Sequence, residues 1–174
     1  MRGEKGSKYA TRSSVLQPNL PGAAGNGLIS TSVTRLIDTN VLVYRVDARF
    51  PEKQETAANL LEGTVRSGEC RIPHQSLLEF YAVVTRRLPG LKTSLLTRNE
   101  AREEIEMLLL TATILYPVEN VVRLGLYGTA AFGLSWFDAH LWACAEHYGC
   151  SMIYSEDFEH SRYYGSVKVV NPFM

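Results

Sequence analysis

From Thr34 onward the apolar positions of this chain switch repeatedly between a short continuous run and a helical period. Leu36 and Ile37 lead into Asp38-Thr39-Asn40, and Val41, Leu42, Val43 and Tyr44 follow. This reads as a buried parallel strand, a turn and further apolar chain. Between Glu52 and Arg66, Ala57, Leu60, Leu61 and Val65 recur at helical spacing, and Gly68 closes that helix. A strand over 70–72 and Pro73 precede a helix over 74–88. Its residues Leu77, Leu78, Phe80, Tyr81, Val83 and Val84 make it apolar almost all round, so it is expected to be largely buried. After Pro89-Gly90, Thr97 and Glu100 form a capping box that opens a helix to about Thr111. A strand over 114–116 leads to a helix over 119–132 that Gly133 stops. Ser135 starts a helix over 136–148, Gly149 ends it, and strands over 151–154 and 167–170 follow. Strands alternating with helices of this length predict an α/β fold with a central parallel sheet covered on both faces. In such sheets ligands bind beyond the carboxyl ends of the strands.

Residues 1–33 show neither period and are rich in Gly, Ser, Thr, Asn and Pro, so a disordered N-terminal tail is expected before a single domain over 34–174. Because the domain pattern begins so abruptly at Val33-Thr34, residues 1–32 are expected to be absent from the native protein if translation starts at Val33. A hydrophobic content of 45% with 21% charged residues is that of an ordinary globular protein rather than a low-complexity or membrane chain. No apolar run reaches the roughly 20 residues needed to span a bilayer, and no signal-peptide pattern is present, so a cytoplasmic protein is expected. Cys70, Cys144 and Cys150 are odd in number and form no CxxC pair, which argues against a disulfide framework and a structural zinc site. Four of the basic residues fall in the first 34 positions against Glu4 alone, leaving the domain slightly acidic; without its four candidate site carboxylates it becomes slightly basic. Net charge thus does not exclude a nucleic-acid substrate.

Those four carboxylates are Asp38, Glu79, Asp138 and Asp157. Asp38 and Asp157 follow strands, Asp138 opens a helix, and Glu79 sits in an apolar helix with no basic residue between His74 and Arg86 to pair with it. Each has a structural explanation taken singly: Ser135 and Asp138 read as a capping box, and Asp38 and Asp157 as turn residues. Burying a lone ionised carboxylate costs several kcal/mol after relaxation, and four at one sheet edge point to a shared cation. Hard oxygen donors without neighbouring Cys or closely spaced His suit Mg²⁺ or Mn²⁺ better than zinc. Such an ion activates a water and stabilises charge on a phosphoryl oxygen, which is the chemistry of phosphodiester hydrolysis.

The ordered set Ile37-Asp38-Thr39-Asn40-Val41-Leu42-Val43-Tyr44, Leu77-Leu78-Glu79-Phe80-Tyr81, Trp136-Phe137-Asp138-Ala139-His140-Leu141-Trp142-Ala143 and Ser155-Glu156-Asp157-Phe158 resembles a PIN domain, in particular the VapC-type ribonuclease toxins of toxin–antitoxin pairs. The resemblance spans about residues 34–173. It implies a Rossmann-like α/β/α sandwich, one or two Mg²⁺ or Mn²⁺ ions, metal-dependent endonucleolytic cleavage of RNA to a 5′-phosphate and a 3′-hydroxyl, a homodimer, and inhibition by a cognate antitoxin protein. On that resemblance Asp38, Glu79, Asp138 and Asp157 are metal ligands, directly or through water, and Asn40 and Ser155 orient them. Ser161 stands where the family often has Gly.

Other polar residues carry weaker signals. His74, His140, His147 and His160 lack mutual metal spacing, and His140 reads as a helix residue with a satisfied ring. Arg86, Arg87, Lys92, Arg98 and Arg162 are candidates for RNA phosphates, although charged helix ends are usually just solvated faces. Trp136 and Trp142 read as core. Two other functions fit the pattern: a non-catalytic partner-binding domain of the same fold, and a phosphoryl-transfer domain with Asp38 as nucleophile. The latter normally has a second acid two residues on or immediately upstream, where this chain has Asn40 and Ile37.

Overall fold

The chain runs outward from the middle of one sheet, first to one edge and then to the other. The computed structural model describes residues 33–87 and 93–174; the expectations for residues 1–32 and for the Pro89-Gly90 break lie outside the described residues. Six strands, β1 (Arg35–Ile37), β2 (Cys70–Pro73), β3 (Thr113–Leu115), β4 (Met152–Tyr154), β5 (Tyr163–Tyr164) and β6 (Val167–Val170), lie in the order β3-β2-β1-β4-β6-β5. All pairings are parallel except β5 with β6. The direction of travel reverses between β1 and β4, which pair in the register Ile37↔Tyr154. The carboxyl ends of these two strands therefore flank the switch-point crevice where ligands bind in open α/β sheets.

Side chains alternate across the sheet because successive residues of a strand point to opposite faces. Leu36, Leu115, Ile153, Val167 and Val169 enter a core with α5 (Glu119–Phe132) and α6 (Trp136–His147). Ile37, Cys70 and Ile72 enter a second core with α1 (Thr39–Tyr44), α2 (Pro51–Arg66), α3 (His74–Thr85) and α4 (Arg98–Thr111). The result is the expected α/β/α sandwich. Helix α1 is new: the apolar run after Asn40 is not extended but turns back at once, with Asp38 as its N-cap accepting a hydrogen bond from the Thr39 N–H. A run of Val, Leu and Tyr that packs Val41 and Leu42 against α3 overrides the strand propensity of its valines and tyrosine. Helix α3 ends at Thr85 and is not buried all round, since Leu78 is 60% exposed and Tyr81 also faces solvent. Trp142 is buried as expected, whereas Trp136, in the first turn of α6, is exposed. All three cysteines are free and buried.

Ser161 adopts φ 63°, the left-handed conformation that favours glycine, and its N–H still donates to Val169 at 2.9 Å. At the position of the departure noted above, the serine thus takes up a conformation that suits glycine better. Helices α5 and α6 meet through glycines. A Cβ at Gly128 would lie 2.7 Å from Cε3 of Trp142, whose ring is anchored by its Nε1–H to the Tyr164 carbonyl at 2.8 Å and packed on Phe132. At Gly125 the nearest atoms would be 3.6 Å away. Gly128→Ala is therefore expected to lower the unfolding free energy by about 1–3 kcal/mol through overpacking, and Gly125→Ala to leave it unchanged or raise it by up to about 1 kcal/mol through helix propensity; chemical denaturation of the two variants measures both.

Candidate active-site cleft

Asp38 is the residue that follows β1, and Ser155 the residue that follows β4. Because the strands pair in register, the Ser155 hydroxyl reaches Asp38 Oδ2 at 2.6 Å across the switch point. Asp38 Oδ1 accepts the Thr39 N–H at 2.6 Å, and Oδ2 also accepts from Asn40 Nδ2 at 3.0 Å. Asp38 is 7% exposed and faces Asp157 and Glu79. Burial above all, and secondarily those two acids, push its carboxyl up to about 7, against the hydrogen bonds from Ser155 and Thr39 that hold it down.

The other three acids arrive from separate elements. Glu79 lies on α3, half-buried, where Thr39 Oγ1 donates to Oε2 at 2.8 Å and Gln75 Nε2, one helical turn earlier, donates to Oε1 at 2.8 Å. Since that carboxylate accepts, the Gln75 amide is oriented with Oε1 toward His140 Nδ1 at 2.8 Å, so Nδ1 of His140 carries the hydrogen. Burial lowers the His140 pKa, and the neutral ring fills the satisfied role expected of it. Asp138 stands in the first turn of α6. Ser135 caps that helix through the Asp138 N–H at 3.2 Å, but Asp138 takes the Ser135 hydroxyl at 2.6 Å instead of its backbone N–H, so the predicted box closes through the side chain alone. Asp157 is exposed. Its N–H donates to Ser155 Oγ at 3.1 Å and its Oδ2 accepts from Asn40 Nδ2 at 3.1 Å.

All four acids line one cleft of about 340 Å³, with Asn40, Thr39, Gln75 and Phe137 among its walls. Only Asp38 is buried, so the expectation of four carboxylates in core-like contexts is corrected to one buried acid, two half-buried ones and one exposed. None of the four forms an ion pair with a described residue, although Asp47 and Glu156 in the same cleft do, with Arg49 at 2.6 Å and Lys53 at 2.5 Å. Among the described residues no three His, Cys, Asp or Glu side chains are arranged to hold one metal ion as they stand. Asn40 explains part of this spacing: its Nδ2 lies within hydrogen-bond range of Asp38, Ser155 and Asp157, three acceptors for two N–H groups, while its Oδ1 is buried with no partner. The amide thus supplies partial positive charge between two carboxylates at the cost of an orphaned oxygen, about 1–3 kcal/mol. A hard divalent cation fits this donor set, which is entirely oxygen and short of positive charge.

Sequence reasoning did not single out Thr39, Gln75 or Arg49 at the cleft. Gln75 was findable, standing four residues before Glu79 on the same helix face; Arg49 carried no periodic signal. Of the suggested phosphate contacts, Arg162 is paired with Glu159 at 2.8 Å and Lys92 lies outside the described residues.

The sequence model of the PIN domain matches residues 35–166. Among curated proteins none matches the chain significantly. The fold is similar to that of VapC20 of Mycobacterium tuberculosis, a sarcin-ricin loop cleaving toxin (15% identity, 71% of this chain and 90% of that one, TM-score 0.55). It is also similar to a chain of a toxin–antitoxin complex from Klebsiella pneumoniae (16% identity, 80% and 98%, TM-score 0.59) and to one of FitAcB from Neisseria gonorrhoeae (20% identity, 80% and 99%, TM-score 0.56). With its match running from β1 through β5 and four acids gathered at the switch point, this chain belongs to the PIN domain family.

Proposed function

We propose that the chain is a metal-dependent endoribonuclease and the toxin of a toxin–antitoxin pair, resident in the cytoplasm, hydrolysing RNA phosphodiester bonds in the cleft beyond β1 and β4. The observation that carries this reading is the charge of the cleft: Asp38, Glu79, Asp138 and Asp157 converge on it without an ion-pair partner among the described residues. In a PIN domain, that arrangement is best accounted for by Mg²⁺ or Mn²⁺ held by these four acids, directly or through water. When bound, such an ion lowers the pKa of a water and stabilises charge on a phosphoryl oxygen. The chain's own groups do the aiming. Ser155 and the Thr39 N–H fix the two oxygens of Asp38, Thr39 Oγ1 and Gln75 fix those of Glu79, and Ser135 turns Asp138. Asn40 spaces Asp38 from Asp157. In-line attack by water on phosphorus breaks the bond to O3′ and leaves a 5′-phosphate and a 3′-hydroxyl. With both oxygens engaged and the residue buried, Asp38 is poorly placed to act as a phosphoryl acceptor.

Protein partners follow from a different surface. Leu78, Tyr81, Leu109, Tyr116, Val122, Trp136 and Phe137 are all exposed, and a largely apolar groove of about 470 Å³ beside the cleft runs between His74, Leu78, Val122 and Trp136. Apolar surface of this kind marks interaction sites, and it supports a homodimer and an antitoxin partner, in keeping with the toxin–antitoxin assemblies among the structural neighbours. No described helix is long and apolar enough to cross a membrane.

Purified protein is expected to cut a pool of structured and unstructured RNAs in Mn²⁺ or Mg²⁺ and not in EDTA, and Asp138→Asn to lower the rate by at least about 100-fold with the fold retained; gel analysis of the products measures both, and cutting in EDTA or by the variant contradicts the reading. A second outcome concerns pH. Asp38 is raised from 3.8 to about 7 in the folded protein, so its contribution to stability is fully present below about pH 4 and is lost as pH rises through 7. In EDTA, the stability of Asp38→Asn relative to the parent protein should therefore climb between pH 4 and pH 7 and level off above, as denaturant unfolding across that range would record.

A further inference from the structure

The acids dominate the cleft, yet an RNA strand would bring more negative charge into it, and one cation stands among its walls. Arg49 is the sole Lys, Arg or His among the described residues lining the cleft. It stands between α1 and α2, where Asp47 is 1% exposed and accepts from Arg49 three times: from the backbone N–H at 3.2 Å, from Nε at 2.8 Å and from Nη2 at 2.6 Å. The guanidinium also lies over the Phe50 ring, 5.5 Å from its centroid. One edge of the fork is thereby fixed against a buried carboxylate, while the side chain remains 36% exposed. Both hydrogens of Nη1 and one of Nη2 are left without a partner among the described residues. Such a preorganised fork matches two oxygens of a phosphate and loses little rotamer entropy in binding one.

Lys53, the neighbouring cation, is different. It is consumed by Glu156 and by the hydroxyl of Tyr44 at 2.9 Å, and lies over the Tyr44 and Phe173 rings outside the cleft lining. It braces the turn that carries Asp157.

We propose that Arg49, clasped by the buried Asp47 and by Phe50, is the residue of the cleft that anchors the RNA backbone, donating its free Nη edge to a phosphate of the bound strand beside the four carboxylates. This rests on the ribonuclease reading above. It assigns Arg49 a contact with substrate that a purely structural clasp of the α1–α2 connection would not have.

The test uses a fluorescein-labelled single-stranded RNA of about 12 nucleotides, within the span one single-strand site covers, with binding followed by anisotropy over a salt series in Ca²⁺, a hard cation that takes oxygen donors. The variant is Asp47→Asn with Arg49→Ala, which leaves net charge unchanged and no buried carboxylate unpaired. Expected are about tenfold weaker binding and a slope of log K on log salt smaller by about 0.7, the share of one phosphate contact on a single strand. Mn²⁺ affinity of the free protein should not change, and Arg66→Ala, an exposed cation of α2 paired with Glu62, should bind like the parent. Neutral methylphosphonates placed one at a time along the strand should include one position that weakens the parent and not the variant. If the double variant is misfolded, Arg49→Lys, which keeps the charge and loses the fork, is read by affinity and the methylphosphonate scan instead of the slope: weaker binding and a smaller penalty at that one position are expected, and parent-like values of both overturn the assignment. Parent-like binding and slope in the folded variant overturn the assignment alone; a parent protein that neither binds nor cuts RNA overturns the ribonuclease reading and this assignment with it.

Discussion

The parallel pairing of β1 with β4 is the constraint on which the site depends. It joins strands separated by more than a hundred residues and ends both at one level, so that Asp38 and Ser155 emerge side by side and bond at 2.6 Å. Every other feature of the cleft is referred to this pair. Asn40 reaches Asp157 because α1 starts immediately at Asp38; Glu79 is met by Thr39 from the same turn; and α6 brings Asp138 to the crevice from the opposite layer. A slip of one residue in that register would turn Leu36 and Ile37 to the wrong cores and separate Asp38 from Ser155.

The same pairing sets the energetic tension of the molecule. Packing and sheet formation bury Asp38 almost completely, while no cation among the described residues pairs with it. Asn40 is spread over too many acceptors and leaves an oxygen unsatisfied. Natural cores rarely keep such groups unless the cost is recovered elsewhere. The neighbouring acids Asp47 and Glu156 show what the chain does with structural carboxylates: it pairs each with its own cation. Within this one cleft the paired acids Asp47 and Glu156 thus stand apart from the four that have no ion-pair partner among the described residues.

Most of the fold was legible because long helices with caps and glycine stops, alternating with short apolar strands, write their period plainly. The four acids were legible as candidates because Asp38 and Asp157 follow strands, Asp138 opens a helix and Glu79 interrupts an apolar one. What was not legible depends on contacts far apart in the chain. Helix α1 is built from residues that prefer strands and forms because Asp38 caps it and α3 covers it. Strand β5, two residues long, exists only by pairing with β6. Leu78 and Tyr81 read as core because a helical wheel cannot show which apolar positions other elements cover, and Trp136 because most of α6 after its first turn is core. Arg49, in Arg49-Phe50-Pro51, has no pattern around it; its position follows from Asp47 two residues earlier and from where α1 happens to stop.

The most direct test of the central claim, that the four carboxylates form one cation site, is calorimetric titration of Mn²⁺ into the EDTA-stripped protein beside Asp38→Asn and Glu79→Gln. The account predicts saturable binding to the parent protein at neutral pH that each substitution weakens by at least about tenfold. Absence of binding, or binding that neither substitution changes, would contradict it.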